Sequence, residues 1–183
     1  MQIHSCRKKE KNVLLDNLNK FDIIVVNFLL MITWHLVILI ICMSLPRSFF
    51  EPTKRLYLTR KWENNGNLYV KTLKIKKWKD CLPQFVAKGG FSKKHLPSSK
   101  DFDENYIHAF ISETCRAEWN HLMCSMYFII SFLINSIQNA IIFSLIPIFC
   151  NLPFLIIQRY NRIRLLKLEK RYSRERYVEK ISV

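Results

Sequence analysis

At 183 residues the chain is long enough for one domain, or for one domain with membrane segments attached. Apolar residues make up 50% of it and the formal net charge is +15, an unusual pairing for a soluble protein. The two properties are segregated: two long stretches hold almost all the aliphatic residues, and the flanking segments hold the Lys and Arg. That arrangement argues against a nucleic-acid partner, which calls for a soluble domain with a basic face. Basic residues placed beside membrane segments attract anionic lipid and explain the same charge. The six cysteines show no C-x-x-C spacing, and His4, His35, His95, His108 and His121 are scattered. Neither a disulfide framework nor a metal site is expected.

Residues 1–22 form a polar, basic lead-in with Arg7, Lys8, Lys9 and Lys11. From Ile23 to Pro46 no residue is charged apart from whatever His35 carries. A helix of about 20 apolar residues crosses a hydrocarbon core of about 30 Å, so 23–46 is expected to be a transmembrane anchor. Its apolar run exceeds the roughly 7–15 residues of a signal-peptide core and no A-x-A-like site closes it, which favours an uncleaved anchor. Trp34 within it reads as packing or lipid-facing.

Residues 47–106 are a basic connector. Lys74, Lys76, Lys77 and Lys79 interleave with Leu73, Ile75 and Trp78, a mixture that suits a segment lying at a membrane surface and equally a small solvated subdomain. Helix and strand remain open there, because Leu73 and Ile75 alternate with lysines while Leu68, Ile75 and Leu82 fit a helical spacing. Residues 88–105, with Gly-Gly and Pro-Ser-Ser, read as a loop.

Between Leu122 and Gln158 there is no Asp, Glu, Lys or Arg over 37 residues. As one helix this run would extend roughly 55 Å at 1.5 Å per residue, too long for a single span. Its most polar point is Asn135 to Asn139, so residues 107–158 are expected to be a charged helix start followed by a membrane hairpin folded there. Pro147 and Pro153 should kink the second arm. The basic tail, 159–183, then lies on the same side as the connector, and positive residues favour the cytoplasm. The expected fold is mainly α: an anchor helix, a basic interfacial connector, and a C-terminal helical hairpin with a basic tail, with two to three membrane segments in the cell membrane.

The hairpin would bring "ETCRAEWNH" (113–121) beside "QRYNRIR" (158–164). On a helix, Glu113, Arg116, Ala117, Asn120 and His121 share a face of about 140°, with Glu118 roughly 60° outside it and at i, i+3 from His121. A carboxylate that fixes an imidazole beside a hydroxyl is an arrangement for general-base catalysis. The plainer alternative is an ordinary Glu113–Arg116 ion pair with His121 reaching for the interface. In the second cluster, Arg159 and Arg162 suit phosphates or carboxylates, while Gln158 and Asn161 suit sugar hydroxyls. A stop-transfer anchor with headgroup contacts accounts fully for Lys167, Lys170, Arg171, Arg174 and Arg176, and less well for Gln158 and Asn161.

These two clusters resemble the glycosyl-4,4'-diaponeurosporenoate acyltransferase family, small bacterial membrane proteins whose pattern reads E-T-x-R-A-E-x-x-H, an apolar run, N-x-P and Q-R-Y-N-R-P-R-L. The sequence supplies Glu113, Thr114, Arg116, Ala117, Glu118 and His121, then Asn151, Pro153, Gln158 to Arg162, Arg164 and Leu165. "WENNGNLY" (62–69) and "KKWKD" (76–80) are similar to further elements of the family. The resemblance runs from about Trp34 to Leu165. Ile163 stands where the family has proline, so a softer bend is expected after Arg162. The resemblance implies transfer of a fatty acyl group, from an acyl thioester, to the primary hydroxyl of a glycosylated carotenoid or related glycolipid. It implies no cofactor, with membrane lipid, a glycosylated lipid-like acceptor and the acyl donor as partners. The mechanistic expectation makes His121 the base on the sugar hydroxyl, oriented by Glu118 or Glu113. Arg159 and Arg162 would hold donor phosphates or the oxyanion, Asn161 the sugar, and Arg116 and Gln158 would contribute to binding. The H-x-x-x-x-D signature of glycerolipid acyltransferases is absent, and the similar spacing of His108 and Glu113 lies outside the matched pattern. A non-catalytic membrane protein that binds anionic lipid or a partner enzyme is the competing class.

Overall fold

The computed structural model describes residues 14–15, 18–83 and 104–182. Most of the lead-in, and residues 88–103 of the stretch read as a loop, lie outside them; Glu104 and Asn105 open a helix. Every regular element among the described residues is helical. Two helices are long and apolar enough to cross a membrane: α1, Lys20–Ser44, and the Ile137–Glu175 part of α5, Ile137–Ser182.

Helix α1 starts at Asn19, whose side chain accepts a hydrogen bond from the Asp22 backbone N–H at 2.9 Å, satisfying one of the donors a helix start leaves open. It stops at Leu45, the residue before Pro46, where the proline ring disfavours helical backbone. The connector that follows is neither strand nor one long helix. It is a string of short turns: a 3₁₀ turn at Arg47–Phe50, a second at Lys61–Gly66, a π turn at Leu68–Thr72, α2 at Ile75–Trp78 and a last 3₁₀ turn at Lys79–Cys81. Helix α3 covers Glu104–Ser125 and α4 covers Phe128–Ile134, interrupted at Met126–Tyr127. The chain then turns at Asn135–Ser136, and α5 begins.

Helices α3 and α4 pack along α5, and α1 packs along α3. Because α1 carries few polar side chains, those it has locate it. Near its start, Asn27 and Asn135 exchange two amide hydrogen bonds, both 2.9 Å, and the Tyr127 hydroxyl donates to the Asn27 backbone oxygen at 3.1 Å. Midway, the Trp34 indole N–H donates to the Met123 carbonyl at 3.1 Å, so Trp34 packs against α3. At the far end the Cys42 thiol faces the Arg116 carbonyl at 3.7 Å. Helix α1 therefore runs antiparallel to α3 and alongside α5.

Three apolar clusters fasten the connector to this frame. Cys42, Phe50, Tyr57 and Cys115 form one, with Trp119 edge-on to both Phe49 and Phe50. Tyr69, Ile75, Tyr160 and Ile163 form another. Ile107, Ile111 and Leu165 form the third, which holds the start of α3 against α5. Ile163 thus has a packing role as well as a backbone one: α5 continues helical through it, and its side chain is buried against the connector.

The reciprocal Asn27–Asn135 pair sets the depth of α1 against the turn. Replacing either residue by Leu removes both bonds of the pair and leaves Asn135 with Ser131, or Asn27 with Ile23 and Tyr127, at an expected cost of about 1–2 kcal/mol. The double variant should lose less than the sum of the two singles, measured as thermal unfolding in detergent micelles; strictly additive losses would contradict the pairing.

Candidate active site

Beyond the apolar segment, α3 presents Glu118 and α5 presents Arg159 and Arg162 to each other. The Glu118 carboxylate bridges both arginines: Arg159 Nη1 donates to Oε1 at 2.7 Å, and Arg162 Nη1 is ion-paired with Oε2. Arg159 also reaches the connector, where Nε and Nη2 meet the two Glu63 oxygens at 2.9 and 3.2 Å. Arg162 Nε donates to the Tyr57 carbonyl at 3.1 Å, and its guanidinium lies over the Tyr57 ring. With Glu63 fully buried and Arg162 only 1% exposed, this is a charge-balanced four-membered cluster, two carboxylates and two guanidiniums, open to water only at Arg159. Burial alone would raise the Glu63 carboxyl. Hydrogen bonds from Arg159, the Arg60 backbone N–H and the Tyr69 hydroxyl outweigh it and hold that carboxyl below its usual range. The same contacts run the other way for Tyr69, whose hydroxyl is pushed up by burial and then by its bond to Glu63.

The second polar centre lies one turn further along α3. His121 Nδ1 is 2.8 Å from Asn151 Oδ1, and the ring stacks on Phe154 at 4.9 Å between centroids. The Asn151 amide nitrogen donates to the Pro147 carbonyl at 2.8 Å and faces His35 Nε2 at 3.4 Å. His35 Nδ1 sits 2.8 Å from the Met31 carbonyl. With both rings neutral, one proton assignment satisfies the whole chain. A carbonyl can only accept, so His35 carries its proton on Nδ1 and offers Nε2 to the Asn151 amide. That fixes the Asn151 oxygen toward His121, which must then donate from Nδ1. His121 is left with an unprotonated Nε2, the form a general base needs.

The structure thus brings the two sequence clusters together but divides the expected partners differently. Glu118 is held by arginines and the atom that orients His121 is the Asn151 oxygen, on the opposite helix. Glu113 pairs with Arg116 at 3.1 Å, one helical turn away on α3, and the Arg116 guanidinium lies over Phe50. Arg159 and Arg162 are occupied by carboxylates. Gln158 is half-buried on α5. Among the described residues, and apart from the ion-paired Glu118 Oε2 and Arg162 Nη1, three buried side-chain polar atoms have no hydrogen-bond partner: Arg116 Nε, Asn120 Oδ1 and Asn161 Oδ1. Buried polar atoms are normally satisfied, so these three are open to a polar partner. Among the described residues no three His, Cys, Asp or Glu side chains converge to hold a metal. An apolar groove of about 270 Å³ between α1 and α5, walled by Met31, Ile32, Leu36 and Ile146, has His35 and Pro147 in its lining.

Glu63, Asn151 and His35 were outside the residues expected from sequence. Asn151 and His35 did carry a signal, being polar residues within otherwise apolar runs, where such residues are costly and usually functional. Glu63 lies within the family-like "WENNGNLY", but nothing local to it indicates a partner on α5.

Comparison with known proteins assigns the chain to a family. The family model described as "CrtO: Glycosyl-4,4'-diaponeurosporenoate acyltransferase" matches residues 52–171, a stretch that contains Glu63, Glu118, His121, Asn151, Arg159 and Arg162. A glycosyl-4,4'-diaponeurosporenoate acyltransferase of Staphylococcus haemolyticus (strain JCSC1435) is 32% identical over 140 residues, covering 72% of this chain and 80% of that protein. No solved structure matches. The chain belongs to the CrtO family of glycosyl-4,4'-diaponeurosporenoate acyltransferases.

Proposed function

We propose that the chain esterifies a sugar hydroxyl of a glycosylated carotenoid, glycosyl-4,4'-diaponeurosporenoate or a close relative, with a fatty acyl group taken from an acyl thioester. The observation that carries the chemistry is the His35–Asn151–His121 relay, which leaves a lone pair on His121 Nε2. That nitrogen takes the hydroxyl proton as the sugar oxygen attacks the thioester carbonyl. The carbon–oxygen bond forms, the carbon–sulfur bond breaks, and the departing thiolate recovers the proton from the imidazolium. Products are the ester and the thiol. Asn120 and Asn161, with their unpartnered carbonyl oxygens, suit sugar hydroxyls as donors. The unpartnered Arg116 Nε suits a developing negative charge. The groove beside His35 suits the polyene or an acyl chain.

The same reading places the reaction at a membrane boundary. Only 11% of the most apolar window of α1 is buried within the protein, and Phe21, Leu29, Ile40, Leu133, Ile137 and Phe149 all stand exposed. A belt of this kind on a monomer marks a lipid-facing surface. With α1 and the α3–α5 pair crossing, the connector and basic tail share one face. Their combined positive charge favours the cytoplasm for that face, with the start of α1 at the opposite one.

In this account the Glu63–Arg159–Glu118–Arg162 cluster is a scaffold, with Arg159 and Arg162 holding the connector over the site. Scaffold and chemistry separate experimentally. His121→Ala should fold normally and lose about 100-fold or more in acyl transfer. Asn151→Leu should lower kcat by about 100-fold with KM little changed, because the base is misoriented and the substrate still binds. Mass spectrometry of membrane lipids should show the unacylated glycoside accumulating in cells carrying either variant, and full acylation with His121→Ala would remove the assignment. Glu118→Ala, by contrast, strands Arg162 without its counter-charge and should cost about 3–5 kcal/mol. It should appear as loss of folded protein in size-exclusion chromatography; a fully folded Glu118→Ala protein would contradict the scaffold role.

A further inference from the structure

Two cavities lie along one face of α5, where the connector packs against it. One, of about 400 Å³, is lined by Lys76, Lys79 and Asp80 from the connector and by Tyr160, Arg164 and Lys167 from α5. The other, of about 420 Å³, lies between Trp78 and Leu82 on one side and Phe149, Leu152 and Ile156 on the other. Neighbouring connector residues line the two, Lys79 and Asp80 the first and Trp78 and Cys81 the second. On α5 the row 149, 152, 156 continues at helical spacing into 160, 164 and 167. The grooved face of α5 that they share is apolar toward the hydrophobic half of the helix and cationic toward its basic half.

The cationic end is built rather than incidental. Lys167 donates to the Asn65 carbonyl at 2.7 Å, Arg164 lies over the Tyr160 ring, and Lys79 is paired with Asp80, the one carboxylate in the lining. Its wall is the turn Asn64–Asn65–Gly66, three successive residues with positive φ (45°, 50° and 88°). Gly66 is required twice over, because a Cβ there would come within 3.3 Å of the Ile163 side chain.

We propose that this groove binds an anionic phospholipid, with its phosphate among Lys76, Arg164 and Lys167 and an acyl chain along Trp78, Leu152 and Ile156. The ligand must be anionic at one end and apolar at the other, in the order in which a membrane lipid presents those ends at an interface. It is not the reacting acyl group, because Asn151 and Phe154 place His121 roughly half a turn around α5 from the groove.

The test is thermal unfolding of the purified full chain in neutral detergent micelles, titrated with phosphatidylglycerol or with phosphatidylcholine. Phosphatidylglycerol should raise the unfolding temperature with saturation and phosphatidylcholine should not. The Lys76→Ala/Arg164→Ala variant, with its lipid-free unfolding temperature as the folding control, should bind phosphatidylglycerol about 30-fold more weakly. Leu152→Trp fills the apolar end without touching the cations and should weaken binding as well, which keeps the test intact if the double variant misfolds. Equal stabilisation by the two lipids, or undiminished binding by both variants, overturns the proposal. Competition by a 3'-phosphorylated adenosine nucleotide, the phosphate-bearing part of a nucleotide thioester, would assign the groove to the acyl donor and overturn it too.

Discussion

Two arginines three residues apart, where the apolar half of α5 gives way to its basic half, cannot enter a packed interior unless something cancels their charge. The rest of the structure follows from how that is done. Glu118 from α3 sits between Arg159 and Arg162, and Glu63 from the connector closes the fork on Arg159. Each contact joins a different part of the chain, so the cluster fixes the register of α3 against α5 and seats the connector above them. Buried ion pairs are weak sources of net stability. Their value here is positional: hydrophobic packing alone would let two apolar helices slide by a turn, and a slid helix would leave a charge uncompensated.

That register puts His121 opposite Asn151. The imidazole then needs no carboxylate, because an amide carbonyl fixes the tautomer equally well in a place where a further buried charge would be costly. The amide is itself held by the Pro147 carbonyl and by His35. Helix α1 therefore joins the site through a single polar side chain, and its depth is set at the other end by Asn27. Two prolines in α5 belong to the same economy. Pro147 and Pro153 lack an N–H, and the helix around them bears the side chains on which His121 rests, Asn151 and Phe154.

Much of this architecture was legible in the sequence because it rests on charge and length. A charge-free run too long for one helix, with its most polar point at Asn135 to Asn139, implied a turn there, and the chain turns at Asn135–Ser136. The meeting of 113–121 with 158–164 followed from that turn. What could not be read was the allocation of partners. Helical spacing placed Glu118 near His121, but spacing on one helix says nothing of the arginines opposite, which attract a carboxylate more strongly than a neutral ring does. The connector was opaque for a related reason. Its short 3₁₀ and π turns have no periodicity, and Phe50, Tyr57 and Ile75 are buried only because α1, α3 and α5 stand beneath them.

The central claim is that His121 is held as a base by an amide, and the protonation pattern of one ring tests it most directly. Nitrogen-15 NMR of histidine-labelled protein in bilayers, with His121→Gln to identify the signal, reports which ring nitrogen carries hydrogen in the neutral imidazole. The account predicts a protonated Nδ1 and a bare Nε2. A neutral ring protonated at Nε2, with the lone pair turned toward Asn151, would contradict it.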